Sequence, residues 1–185
     1  MRVMLTSCGL ETERLKACFL SLLGKAPEHA KALFIPTAAI DADAISVLPK
    51  CMNDLLRCGI PKENIRVFDL HREMPTDELK KYDLLYLCGG NTAYLLGRIN
   101  DSGFRHALLS YIEADGLVLG VSAGSLIFAN DLPDNLGLLD TKLSVHCADS
   151  SLIGTVSFQA DHINLSNTAA LLIRSVPNDV QLIDN

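Results

Sequence analysis

Gly116-Leu-Val-Leu-Gly-Val-Ser-Ala-Gly124 is an apolar run that ends on a serine between glycines, with Ala123–Ala129 predicted as a helix directly behind it. Its apolar residues are consecutive rather than alternating, so the strand it predicts is covered on both faces. The small residues around Ser122 allow a tight strand-to-helix turn. Tyr82–Cys88 repeats the pattern upstream: a buried strand, then Gly89-Gly90-Asn91-Thr92, then helical spacing over Ala93–Asn100.

Working outward, Val3–Thr6, Lys31–Ile35 and Ile65–Asp69 predict strands, and Glu11–Leu23, Ile45–Cys58 and Phe104–Ala114 predict helices. Strands and helices alternate through the first two-thirds of the chain. This predicts an α/β fold, a three-layer sandwich around a mainly parallel sheet. In the last third, Leu143–His146 and Gly154–Phe158 are strand candidates, Ser166–Ser175 is predicted helical, and Val180–Ile183 begins a last strand. Residues 1–185 are expected to form a single domain, and a strand so close to Asn185 suggests a truncated C-terminus.

The bulk numbers narrow the function. With 16 basic and 22 acidic side chains the net charge is −6, a balance that argues against nucleic acid and anionic membranes as partners. The six cysteines form no CxxC pair, which fits thiols in a reducing, cytoplasmic compartment. Met1–Leu5 looks like a first strand rather than a secretory leader, and no run is apolar enough to span a membrane. No H-E-x-x-H motif or carboxylate–histidine cluster points to a metal, and no cofactor is expected.

In a parallel α/β sheet, ligands gather at the carboxyl ends of the strands. Gly120-Val-Ser-Ala-Gly124 lies at such an end and has the G-x-S-x-G form of a nucleophile elbow. There the Ser122 hydroxyl would be exposed, and the N–H of Ala123 could face a developing oxyanion. Ser122 as a plain helix N-cap is the other reading of the same residues. Gly89-Gly90-Asn91 can complete an oxyanion hole or cradle a carboxylate, but lacks the lysine of a P-loop. A serine nucleophile needs a base. Among His29, His71, His106, His146 and His162, only His146 closes an apolar stretch downstream of Ser122.

Gly-Gly-Asn-Thr after a strand, Gly-x-Ser-Ala-Gly about thirty residues later, Asn-Asp-Leu-Pro, and a histidine closing a strand together resemble the dipeptidase E family. These are α-aspartyl dipeptidases related to cyanophycinases. Val-Met-Leu-Thr-Ser and Phe-Ile-Pro-Thr-Ala are also similar to that family, and the resemblance covers essentially the whole chain. It implies a flavodoxin-like fold similar to class I glutamine amidotransferases, and a serine-type peptidase acting on short peptides. It implies Ser122 as nucleophile, His146 as general base, the N–H groups of Gly90 and Ala123 as the oxyanion hole, and Gly89 and Asn91 as substrate-binding residues.

For the third catalytic member, Asp184 in Gln-Leu-Ile-Asp-Asn matches the family's late acid, with Asp131 as the alternative. If Ala123–Ala129 is helical, Asp131 lies roughly 12 Å along its axis from Ser122, which favours Asp184. Selecting aspartate substrates requires a cation. Between His146 and Arg174 only His162 can supply one.

Two other functions stay open. One is an amidase on another small amide, with Cys88 or Cys147 as alternative nucleophiles. The other is an impaired or non-catalytic homologue that binds a small anionic ligand. A homodimer is also left open.

Overall fold

The computed structural model describes residues 1–151, 154–155, 162–175 and 179–184. The strands are β1 (Arg2–Thr6), β2 (Ala32–Ile35), β3 (Ile65–Val67), β4 (Leu84–Leu87), β5 (Leu117–Val121), β6 (Lys142–Cys147), β7 (Gly154–Thr155), β8 (His162–Ser166), β9 (Ala170–Ser175) and β10 (Asp179–Ile183). The helices are α1 (Glu13–Leu23), α2 (Ala42–Ser46), α3 (Leu48–Arg57), α4 (Thr76–Leu79), α5 (Thr92–Asp101), α6 (Phe104–Glu113) and α7 (Ala123–Leu126).

One sheet has the strand order β3-β2-β4-β5-β1-β9-β10-β7. From β3 to β1 all pairings are parallel, and β9, β10 and β7 extend the sheet antiparallel. The expected α/β architecture around a mostly parallel sheet is therefore present. Successive strand residues point to opposite faces, so each strand feeds two cores. Val3, Leu85 and Val118 pack under Leu95 of α5 and Leu108 of α6. Met4, Tyr86 and Leu119 pack under Phe19 of α1 and Leu55 of α3. Phe19 and Phe104 are fully buried, one in each layer, and truncating either to Ala should cost about 3–5 kcal/mol.

Local chemistry fixes the helix ends. Thr12 Oγ1 accepts from Leu15 N–H to start α1, and Gly24 at φ 68° ends it. The helix expected over Ile45–Cys58 is broken at Val47 into α2 and α3. Pro49 sits in the first turn of α3, where its missing N–H costs nothing.

The helix expected over Ser166–Ser175 is a turn followed by β9. Ala170, Leu171, Leu172 and Ile173 are all buried, because β9 lies between β1 and β10. A short, wholly apolar run fits a buried strand as well as a helix by periodicity, and pairing on both edges decided it. Of the strand expected over Gly154–Phe158, only Gly154–Thr155 pairs, and residues 156–158 lie outside the described part. β6 and β8 form a separate two-stranded parallel sheet. Its Leu143, Ile163 and Leu165 join the core beneath α5 and α6. No helix among the described residues is long and apolar enough to cross a membrane.

Candidate active site

The carboxyl ends of β1, β4 and β5 carry Ser7-Cys8, Gly89-Gly90 and Ser122. Ser122 has φ 50° and ψ −110°, a conformation that an L-residue keeps only when its surroundings over-determine it. Those surroundings are visible. Ser122 N–H donates to Thr6 O at 2.9 Å, and its carbonyl accepts from Ser125 and Leu126 N–H at 2.8 and 3.0 Å. The Ser125 hydroxyl donates back to Thr6 O at 2.8 Å and accepts from Thr6 N–H at 3.0 Å.

The flanking glycines are steric requirements. A Cβ on Gly120 would lie 2.4 Å from Gly124 O, and one on Gly124 would lie 2.3 Å from Leu87 O. Gly90 has φ 138°, and a Cβ there would lie 2.1 Å from Ala38 O. The helix after Ser122 is a single turn, Ala123–Leu126, shorter than expected. The N–H groups of Gly90 and Ala123 donate to no described residue.

His146 comes from the small sheet. Its Nε2 is 3.1 Å from Ser122 Oγ. It sits at φ 58° where the β6–β8 register shifts between Ser144 and Cys147. Its N–H donates to Ser7 Oγ at 3.1 Å, and Ser7 Oγ donates to Leu165 O at 2.9 Å. On the far side of the ring, Nδ1 is 3.0 Å from Asn167 Oδ1 and 3.4 Å from Cys8 Sγ. The Cys8 thiol itself donates to Asn167 Oδ1 at 3.1 Å. An amide oxygen facing Nδ1 selects the Nδ1–H tautomer, which leaves the Nε2 lone pair toward the serine.

The two aspartates considered from the sequence are placed elsewhere. Asp184 accepts from Thr168 Oγ1 at 2.8 Å and from Ser166 Oγ at 3.2 Å. These two residues flank Asn167, so Asp184 braces the turn that presents the amide. Asp131 Oδ2 accepts from Leu143 N–H at 2.9 Å, at the base of the small sheet. Asn91 caps α5 by accepting from Tyr94 N–H at 2.9 Å, whereas Gly89 does line the cleft beside Ser122. His162 Nε2 pairs with Ser144 Oγ at 2.7 Å.

Cys88 is fully buried, and burial pushes its thiol pKa well up, which disfavours the thiolate a nucleophile needs. Cys147 Sγ faces the Val145 carbonyl at 3.8 Å. Burial and then Glu11 raise the Cys8 thiol pKa. Among the described residues, no group of His, Cys, Asp and Glu could hold a metal ion. Ser122 opens on a cleft of about 320 Å³, walled opposite by Ala44, Val47, Lys50 and Cys51.

Residues 3–137 match the model of peptidase family S51. The chain belongs to peptidase family S51. This agrees with the dipeptidase E resemblance carried by the motifs. The matched segment contains Gly90 and Ser122 and stops before His146 and Asn167.

An uncharacterised peptidase of Listeria monocytogenes is 27% identical over 125 residues, which is 68% of this chain and 61% of the relative. Peptidase E of Streptomyces coelicolor is 27% identical over 143 residues, which is 70% of this chain and 56% of the relative. The S51 chain thus spans roughly three-fifths of the length of the curated relatives it matches. A solved structure from Listeria monocytogenes EGD-e, carrying the Peptidase E name, aligns at TM-score 0.74. That alignment covers 100% of this chain and 98% of the other at 21% identity, a likeness of fold.

Proposed function

We propose that the chain is a serine-type peptidase that hydrolyses short peptides through an acyl-enzyme on Ser122. The observation that carries this reading is the 3.1 Å approach of His146 Nε2 to the hydroxyl of a serine held at positive φ. Family S51 membership supports the reaction class.

In this mechanism His146 takes the hydroxyl proton as Ser122 Oγ attacks the peptide carbonyl. The N–H groups of Gly90 and Ala123 receive the oxyanion. The imidazolium then protonates the leaving amine, and water releases the acyl group by the reverse sequence. Asn167 takes the orienting role expected of Asp184. It fixes the tautomer through its amide oxygen but brings no negative charge, so His146 gains less support as it becomes charged than a carboxylate would give.

The test is turnover of a dipeptide library by the parent and by Ser122→Ala. The expected result is a loss of about a thousandfold or more in kcat/KM with unchanged Tm. Turnover retained in the variant would remove Ser122 from the mechanism.

A further inference from the structure

The cleft that opens on Ser122 has one permanently charged cation in its wall, Lys50 of α3, among the described residues. His162, the candidate cation between His146 and Arg174, pairs with Ser144 and does not line this cleft. Beside Lys50 the cleft is lined by the apolar side chains of Ala44 and Val47 and by Cys51, at most a weak thiol donor. A dipeptide fits a cleft of about 320 Å³, so a ligand attached at Ser122 comes within the same enclosure as the ammonium.

Lys50 pairs with Glu11 at the rim, where their side chains are 58% and 29% exposed. Solvent screens so exposed a pair and leaves it weakly held. A carboxylate enclosed in the cleft would be screened less and held more firmly. The ammonium has three donors, and Glu11 holds it in place without using it up. Its hydrogen bond to Glu11 also raises the Lys50 pKa, so the cation is present at neutral pH.

On these grounds we propose that Lys50 is a subsite for a substrate carboxylate, with Glu11 as its resting partner. The proposal rests on the peptidase reading for the identity of the ligand. The carboxylate can be the free C-terminus of a short peptide or an acidic side chain, and the chemistry is the same for both.

Ser122→Ala, which cannot turn over substrate, separates binding from catalysis. Calorimetry would compare Leu-Leu with its C-terminal amide, and Asp-Leu-amide with Asn-Leu-amide, each at up to millimolar concentration. At least one carboxylate peptide should bind ten times more tightly than its neutral partner, and the responding pair identifies the source. Lys50→Met should reduce that advantage to within twofold, and Lys50→Arg should keep most of it. The proposal is overturned if the advantage survives in Lys50→Met, if neither carboxylate outbinds its amide, or if none of the peptides binds. Fluorophosphonate labelling of Ser122 needs no carboxylate, so the peptidase reading fails or stands separately from this subsite.

Discussion

The two halves of the candidate site are built on different principles. Ser122 sits in a tight turn, where a side chain on Gly120 or Gly124 would strike the backbone of Gly124 or Leu87. His146 is brought in by a two-stranded sheet and is held by side chains from three separate segments: Ser7 and Cys8, Asn167, and Ser122 itself. The first half is rigid because steric exclusion leaves one conformation. The second half depends on a few polar contacts. Substitutions at the glycines around Ser122 should therefore act through folding, and substitutions on the base side through rate.

The largest effect follows from filling the turn. Gly124→Ala places a methyl 2.3 Å from a backbone carbonyl that cannot rotate away. It should destabilise the fold by about 1–3 kcal/mol, visible as a lower Tm, and should lose activity as well. A parent-like Tm would contradict the account of that turn.

Next comes the base side. Asn167→Ala should lower kcat by about a hundredfold with little change in Tm, because it removes the group that orients His146. Asn167→Asp is the sharper version. A carboxylate beside Nδ1 supports the imidazolium that forms as the proton moves, so kcat should be at least that of the parent. A kcat as low as that of Asn167→Ala would mean that position 167 does not touch the ring in solution.

A smaller effect concerns Cys8. Its thiol lies against Nδ1, so under the proposed mechanism alkylation should slow turnover by disturbing His146. Cys8→Ala should stay active and become insensitive to iodoacetamide. Sensitivity that persists in this variant would point to another thiol.

The smallest effect is expected deep under the cleft. Asp54 is buried and accepts from Tyr86 Oη–H at 2.8 Å and Leu10 N–H at 3.1 Å. Burial raises its pKa above the ordinary value. The folded state therefore holds this proton more tightly than the unfolded state. Its contribution to stability is greatest below the unfolded pKa and is lost as pH rises through the folded one. Asp54→Asn keeps an acceptor for both donors and should leave the Tm at neutral pH within a few degrees, while flattening its dependence on pH. A large loss at neutral pH would show that the charge itself is needed.

The same contrast explains what the sequence could disclose. Ser122 was legible because its strand, its glycines and its helix are adjacent in the chain. The parallel sheet was legible because Leu84–Leu87 and Leu117–Val121 are apolar without alternation. Asn167 was hidden because Ala170-Leu-Leu-Ile fits a helix as readily as a buried strand, and the helical assignment removed the turn that carries the amide. Cys8 and Lys50 carry no motif at all, and only tertiary packing brings them to the cleft. Asp184 was found as a late acid, but its partners Ser166 and Thr168 place it behind the turn rather than against the histidine.

Intact mass after incubation with a small fluorophosphonate, on the parent and on Ser122→Ala, tests the activated serine most directly. The account predicts a single adduct on the parent and none on the variant. A folded parent that takes no adduct, or an adduct that persists without Ser122, would contradict it.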